Sequence, residues 1–113
     1  MVVKSYTPKR GDIIWLDFNP QSGKEQMGRC PAIVLSPEAY NYKVGLVLVC
    51  PITSQIKGYP FEVKLPDSCI TKGVIISDRI KSLDWRLRNA EYAESADDEI
   101  VNDVINKVNV LLK

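Results

Sequence analysis

The stretch Gly23-Lys24-Glu25-Gln26-Met27-Gly28-Arg29-Cys30-Pro31-Ala32-Ile33-Val34-Leu35-Ser36 sets a polar loop directly against a buried strand. Glycines at Gly23 and Gly28 loosen the loop, and the apolar run Ala32-Ile33-Val34-Leu35 has the length and branching of a core strand. Pro31 carries no amide hydrogen, so it is expected to mark the strand's boundary rather than its middle. Strand two is therefore placed at Ala32 to Ser36, with charged side chains delivered from the loop onto the rim of a rigid sheet. Binding and catalytic groups concentrate at such rims.

Working outward, Asp12 to Asn19 alternates, with Ile14, Leu16 and Phe18 on one face and Ile13, Trp15 and Asp17 on the other. Pro37 to Gly45 suggests a turn or short helical piece. Leu46 to Ile52 is a nearly all-apolar third strand with Pro51 near its end, followed by a second polar loop from Thr53 to Pro60. Phe61 to Leu65 alternates again, Gly73 to Ser77 is a fifth strand, and Asp78 to Ser82 is expected to begin a short helical turn. In the last segment Ile100, Val101, Val104, Ile105, Val108, Leu111 and Leu112 recur on one helical stripe, with Ser95 expected as N-cap. Short strands, two polar loops and one terminal helix predict a mainly β fold, a small and strongly bent sheet or barrel.

With 113 residues, 45% of them hydrophobic and 26% charged, the chain has the size and composition of one soluble globular domain, 1–113. The start, Met-Val-Val-Lys-Ser-Tyr-Thr-Pro, lacks the apolar core of a secretory signal and no run is long enough to span a membrane, so a cytoplasmic location is expected. Cys30, Cys50 and Cys69 have no CxxC spacing and there is no histidine, which argues for free thiols and against a metal or other cofactor. Net charge is +1, but residues 1–90 carry +5 and residues 91–113 carry −4. That asymmetry fits a polyanion on the basic body; it equally fits acidic residues complementing the dipole of the terminal helix.

The absence of histidine excludes Ser-His-Asp and Cys-His catalysis. No glycine-rich phosphate loop is present either. Arginine, lysine, threonine, serine and carboxylates on loops remain, an inventory suited to stabilising charge on a phosphate.

Seven motifs then occur in order: Gly11-Asp12-Ile13-Ile14-Trp15, Phe18-Asn19-Pro20, Gly23-Lys24-Glu25-Gln26, Pro31 through Ser36, Pro51-Ile52-Thr53, Lys57 through Val63, and Lys81-Ser82-Leu83-Asp84-Trp85-Arg86. In these the chain resembles the MazF/PemK-type toxins of bacterial toxin–antitoxin pairs from about residue 8 onward. The resemblance implies an SH3-like β-barrel with a C-terminal helix, acting as a homodimer and silenced by a cognate MazE-like antitoxin. It further implies a ribosome- and metal-independent endoribonuclease (an mRNA interferase) that cuts single-stranded mRNA through its own 2′-hydroxyl, leaving a 2′,3′-cyclic phosphate. DNA would be met only through the antitoxin complex.

By the same resemblance Thr53 holds the catalytic threonine position. Glu25 would assist proton transfer, or be a solvated loop carboxylate. Phe18, Asn19, Gln26, Ser54, Gln55, Lys57, Asp78, Arg79 and Lys81 would contact RNA, although core packing is the commoner fate of a phenylalanine such as Phe18. The family's arginine follows a Gly-x-Arg-Pro pattern, whereas this chain has Gly28-Arg29-Cys30-Pro31. Cys30 occupies the arginine position, and Arg29, the candidate to take over its catalytic role, lies one residue early, on the opposite face of an extended backbone, so it is no automatic substitute. Losing one such donor costs roughly 10²–10³ in rate, so a weakened or inactive enzyme is expected. Two other readings stand beside it: a CcdB-like gyrase poison, which the ending Val110-Leu111-Leu112-Lys113 disfavours, and an inactive homologue that only titrates antitoxin.

Overall fold

The computed structural model describes residues 6–18 and 28–113. Among these residues, seven strands and two helices follow in the order β1 (Asp12–Asp17), β2 (Arg29–Val34), α1 (Glu38–Val44), β3 (Leu46–Thr53), β4 (Glu62–Lys64), β5 (Val74–Ile76), β6 (Lys81–Asp84), β7 (Glu91–Ser95) and α2 (Asp98–Leu111). All strand pairs are antiparallel, and the sheet runs β4-β5-β3-β2-β1-β7 with β6 also paired to β3. The expected mainly β, strongly bent sheet with a C-terminal helix is present. Among the described residues it is open, since β4 pairs there only with β5 and β7 only with β1. Among the described residues no helix is long and apolar enough to cross a membrane.

β3 causes the bend. Its first half pairs with β6 from Leu46 to Val49, and its last two residues pair with β5. The Leu48 carbonyl accepts from Leu35 on the β2 side, so by alternation the Pro51 nitrogen faces away from β2. There it meets the gap between the β6 and β5 registers, where no ladder bond is lost. Pro31 is tolerated for a similar reason and corrects the expected boundary: β2 begins at Arg29, two residues before it. Pro31 stands opposite Trp15 in a pair that exchanges no hydrogen bonds, and the β2–β3 register stops at Ala32.

The pleat sorts apolar side chains into two cores. Ile13, Ile33, Leu35, Cys50, Ile52 and Ile75 meet Ile100, Val101, Val104 and Val108 of α2. On the other side Ile14, Leu16, Phe18, Ala32, Val34, Val47 and Val49 close around Trp85. Burying each valine, leucine, isoleucine or phenylalanine among them contributes about 1.5–3 kcal/mol.

Three expectations are revised. Asp97, not Ser95, is the N-cap of α2; the Ser95 hydroxyl instead lies 2.9 Å from the Tyr92 hydroxyl, and Ser95 ends β7, opposite Asp12. Leu111 and Leu112 leave the apolar stripe and are exposed, because α2 runs past the sheet at its end. Residues 81–84, placed partly in a helical turn, form β6 because β3 offers them an open edge.

Asn41 of α1 ties this framework together although it is fully buried. Its Oδ1 accepts from the Ser36 hydroxyl at 2.6 Å, and its Nδ2 donates to the carbonyls of Pro8 and Ser36. Its own carbonyl receives the Trp85 indole N–H at 2.8 Å. Asn41→Ala keeps the carbonyl that Trp85 meets but removes the side-chain bonds to Ser36 and Pro8, and urea denaturation is expected to show a loss of about 3 kcal/mol.

Candidate active site

β3 carries Val49, Pro51 and Thr53 on one face and delivers Thr53 to the sheet rim, where the polar loop begins. The Gln55 backbone N–H donates to Thr53 Oγ1 at 3.1 Å, which fixes the side chain and leaves its hydroxyl hydrogen for another acceptor. The loop is shaped by Glu62 of β4, whose two carboxylate oxygens accept from the backbone N–H groups of Lys57 and Gly58 at 3.0 and 3.1 Å. Gly58 permits this turn with φ +74°.

Between loop and sheet lies an open groove of about 820 Å³ lined by Pro51, Thr53, Gln55, Lys57, Tyr59, Glu62, Asp78 and Arg79, among others. Its cations are Lys57 and Arg79. Both acids are engaged: Glu62 by the loop amides, and Asp78 by the Tyr59 hydroxyl, which donates to Oδ2 at 2.5 Å. That bond to Asp78 raises the Tyr59 phenol above its ordinary range, so the ring stays neutral. The other Asp78 oxygen, Oδ1, is buried without a hydrogen-bond partner among the described residues. Behind the groove, burial pushes the Cys50 thiol up to about 12, with the Asp78 charge adding to it. Cys50 is therefore a neutral core residue.

Gly73 is wedged behind Thr53. A Cβ at Gly73 would lie 2.1 Å from the Thr53 carbonyl oxygen, and its φ is +121°. Neither Gly73 nor Tyr59 stands out as functional in sequence, because their importance arises from partners 20 and 19 residues away.

The structure brings together Thr53, Gln55, Lys57, Asp78 and Arg79 of the expected residues. Ser54 is exposed beside the groove, and Lys81 starts β6 opposite Val49 without lining it. Phe18 is corrected outright: it is 1% exposed within the core around Trp85 and has no ring face to offer RNA. Trp85 is likewise core, with the Arg86 guanidinium stacked 4.6 Å from its ring centre. Asn19, Glu25 and Gln26 lie outside the described residues.

Cys30 is half-buried, and its side chain shares the face of Ala32 and the Thr53 side of β3. The last β2–β3 pair is Ala32 with Pro51, and Cys30 and Thr53 lie two residues further along their strands. Arg29 points to the opposite face, as the pleat requires. Its guanidinium is bound to Asp17 at 3.1 Å, Glu91 at 2.9 Å and the Asn89 carbonyl at 2.7 Å. It is not brought to Thr53, which departs from the catalytic role considered for it.

Hydrogen bonds from Asn89 and then Arg29 hold the Asp17 carboxyl below its ordinary range. A lowered carboxyl stabilises the fold above its unfolded pKa and loses that contribution as pH falls through the folded value. Arg29→Ala is thus expected to weaken the fold slightly at neutral pH and to flatten the acid limb of a denaturation profile. Its RNA cleavage should match that of the parent.

A bent antiparallel sheet holding a threonine hydroxyl, two cations and two hydrogen-bonded acids around an open groove defines a small β protein with a polar cleft at its sheet rim. The chain matches, over residues 9–112, the family described as PemK-like, MazF-like toxin of type II toxin-antitoxin system, and it belongs to that family. It is 45% identical over 111 residues to the endoribonuclease toxin MazF of Escherichia coli K12, covering 98% of this chain and 99% of that protein. The endoribonuclease toxin ChpB of the same strain is 30% identical, covering 99% of this chain and all of that protein. The crystal structure of MazF from Deinococcus radiodurans superposes with a TM-score of 0.91 at 49% identity, covering 96% of this chain and 98% of that one. A MazE-MazF complex from the same organism gives 0.89 at 49% identity, covering 96% and 97%.

Proposed function

We propose that this chain is a cytoplasmic, sequence-specific endoribonuclease toxin that cuts single-stranded mRNA without metal or ribosome. The observation that carries it is Thr53, its hydroxyl set in a groove with Lys57 and Arg79, where the carboxylates of the described residues, Glu62 and Asp78, are already hydrogen-bonded. RNA's own 2′-hydroxyl attacks the adjacent phosphorus, the 5′-oxygen leaves with a proton, and a 2′,3′-cyclic phosphate remains. Thr53 donates to a phosphate oxygen as charge builds there, while Lys57 and Arg79 hold neighbouring phosphates. Glu25, by family resemblance, would relay the proton. Cys30 supplies no cationic fork, so turnover is slow.

The relatives' names support an antitoxin partner, since MazF of Deinococcus radiodurans was solved with MazE. A MazE-like antitoxin lying over the groove of a homodimer is the corresponding proposal here. Cys30 also favours a second reading, an inactive homologue that binds antitoxin without cutting.

Purified protein incubated with mixed single-stranded RNA and a chelator is the test, with cut ends sequenced and weighed. Slow cleavage at one short sequence, leaving cyclic phosphate, is expected. Absence of cleavage by both the parent and its Cys30→Arg variant would overturn the nuclease reading.

A further inference from the structure

Tyr59 is a large aromatic side chain on the groove wall, 45% exposed, that the chemistry above leaves without a task. It is not loose. Its hydroxyl is anchored on Asp78, its carbonyl accepts from Glu62 N–H at 3.0 Å, and its ring rests 5.9 Å from that of Phe61. A ring already held in place loses little conformational freedom when a ligand covers it. With its hydroxyl hydrogen engaged, what it offers the groove is chiefly a π-face. Such a face stacks on any base, at about 1–3 kcal/mol each.

The surroundings suit a single strand. Lys57 and Arg79 lie in the same groove for phosphates, and Thr53 stands within it for the cleaved linkage. A bare Asp78 carboxylate would repel such a ligand. Here Tyr59 covers one of its oxygens and the other is buried.

We infer that Tyr59 is a stacking platform for one unpaired base of the RNA, and that Asp78 acts as its positioning residue. This rests on the groove being the RNA site. It adds a base-tolerant contact beside the phosphate-directed cations Lys57 and Arg79.

The test measures binding of a short single-stranded RNA made uncleavable by one 2′-deoxy nucleotide, alongside KM and kcat for its cleavable form. Tyr59→Leu is expected to weaken binding about ten- to a hundredfold, raising KM and leaving kcat at saturation within about threefold. Tyr59→Trp should restore binding, which a purely structural role would not permit. Tyr59→Phe and Asp78→Ala should each give a smaller loss, and combining them should add nothing. Abasic substitutions along the RNA should reveal one position whose loss equals that of Tyr59→Leu and is not additive with it. Tight binding by Tyr59→Leu, failure of Tyr59→Trp to restore it, or no such abasic position would each overturn the inference. If the parent and Cys30→Arg bind no RNA at all, the groove reading itself falls. RNA that is bound and cut regardless of Tyr59 removes only the platform.

Discussion

Replacing Cys30 by arginine is expected to raise single-stranded RNA cleavage by about 10²–10³, the scale of one transition-state donor. The pleat places residue 30 on the Thr53 side of the sheet, just where β2 and β3 cease to pair and their ends diverge. An arginine there is half-buried at its stem, against the core around Trp85, while its guanidinium reaches the rim. It would present two N–H groups to the phosphate that Thr53 is proposed to meet with one hydroxyl. A thiol cannot do this when neutral and repels the phosphate when ionised. Adding Thr53→Ala to the Cys30→Arg variant should remove the gain. Rates measured on one fluorescent RNA for the three proteins decide it; equal rates for parent and Cys30→Arg would sink the argument. Arg29 cannot substitute, since its guanidinium is held across the sheet by Asp17 and Glu91.

Gly73→Ala is expected to cost about 3 kcal/mol or more of stability, through overpacking together with an unfavourable positive φ. The added methyl would sit 2.1 Å from the Thr53 carbonyl oxygen and 2.8 Å from its carbon, where real Cβ contacts stay beyond 3.0 Å. Neither neighbour is a flexible side-chain end. Gly73 is itself held, since its carbonyl accepts from Leu65 N–H at 3.1 Å and the next residue, Val74, pairs with Thr53. The strain must therefore move the end of β3 and the Thr53 hydroxyl with it. With Thr53 in its proposed role, a displacement near 1 Å would cost about 10² in rate. Urea denaturation and cleavage assays in the Cys30→Arg background check both parts. Unchanged stability would show that the loop before β5 yields more readily than its contacts imply.

The alternation in β1 was legible from residues 12–18, and the buried part of the α2 stripe from Ile100 to Val108, because both periods are set by neighbours in the chain. β7 was not, since Glu91, Tyr92 and Glu94 carry little apolar signal and become a strand only because β1 offers an edge. Ser95 misled as a cap for the same reason. The family motifs singled out Thr53 and the break at Cys30 without any coordinates. They also put Phe18 at the RNA surface, where packing around Trp85 withdrew it.

What sequence alone determined was therefore the strand and helix periods, the lack of imidazole chemistry, and the opposite facing of Arg29 and Cys30. Only the tertiary structure decided who meets whom. It turned Arg29 toward Glu91, set the Tyr59 hydroxyl on Asp78 and pressed Gly73 behind Thr53. Side-chain direction follows from the local pleat, whereas these contacts depend on which strands the bend in β3 brings together.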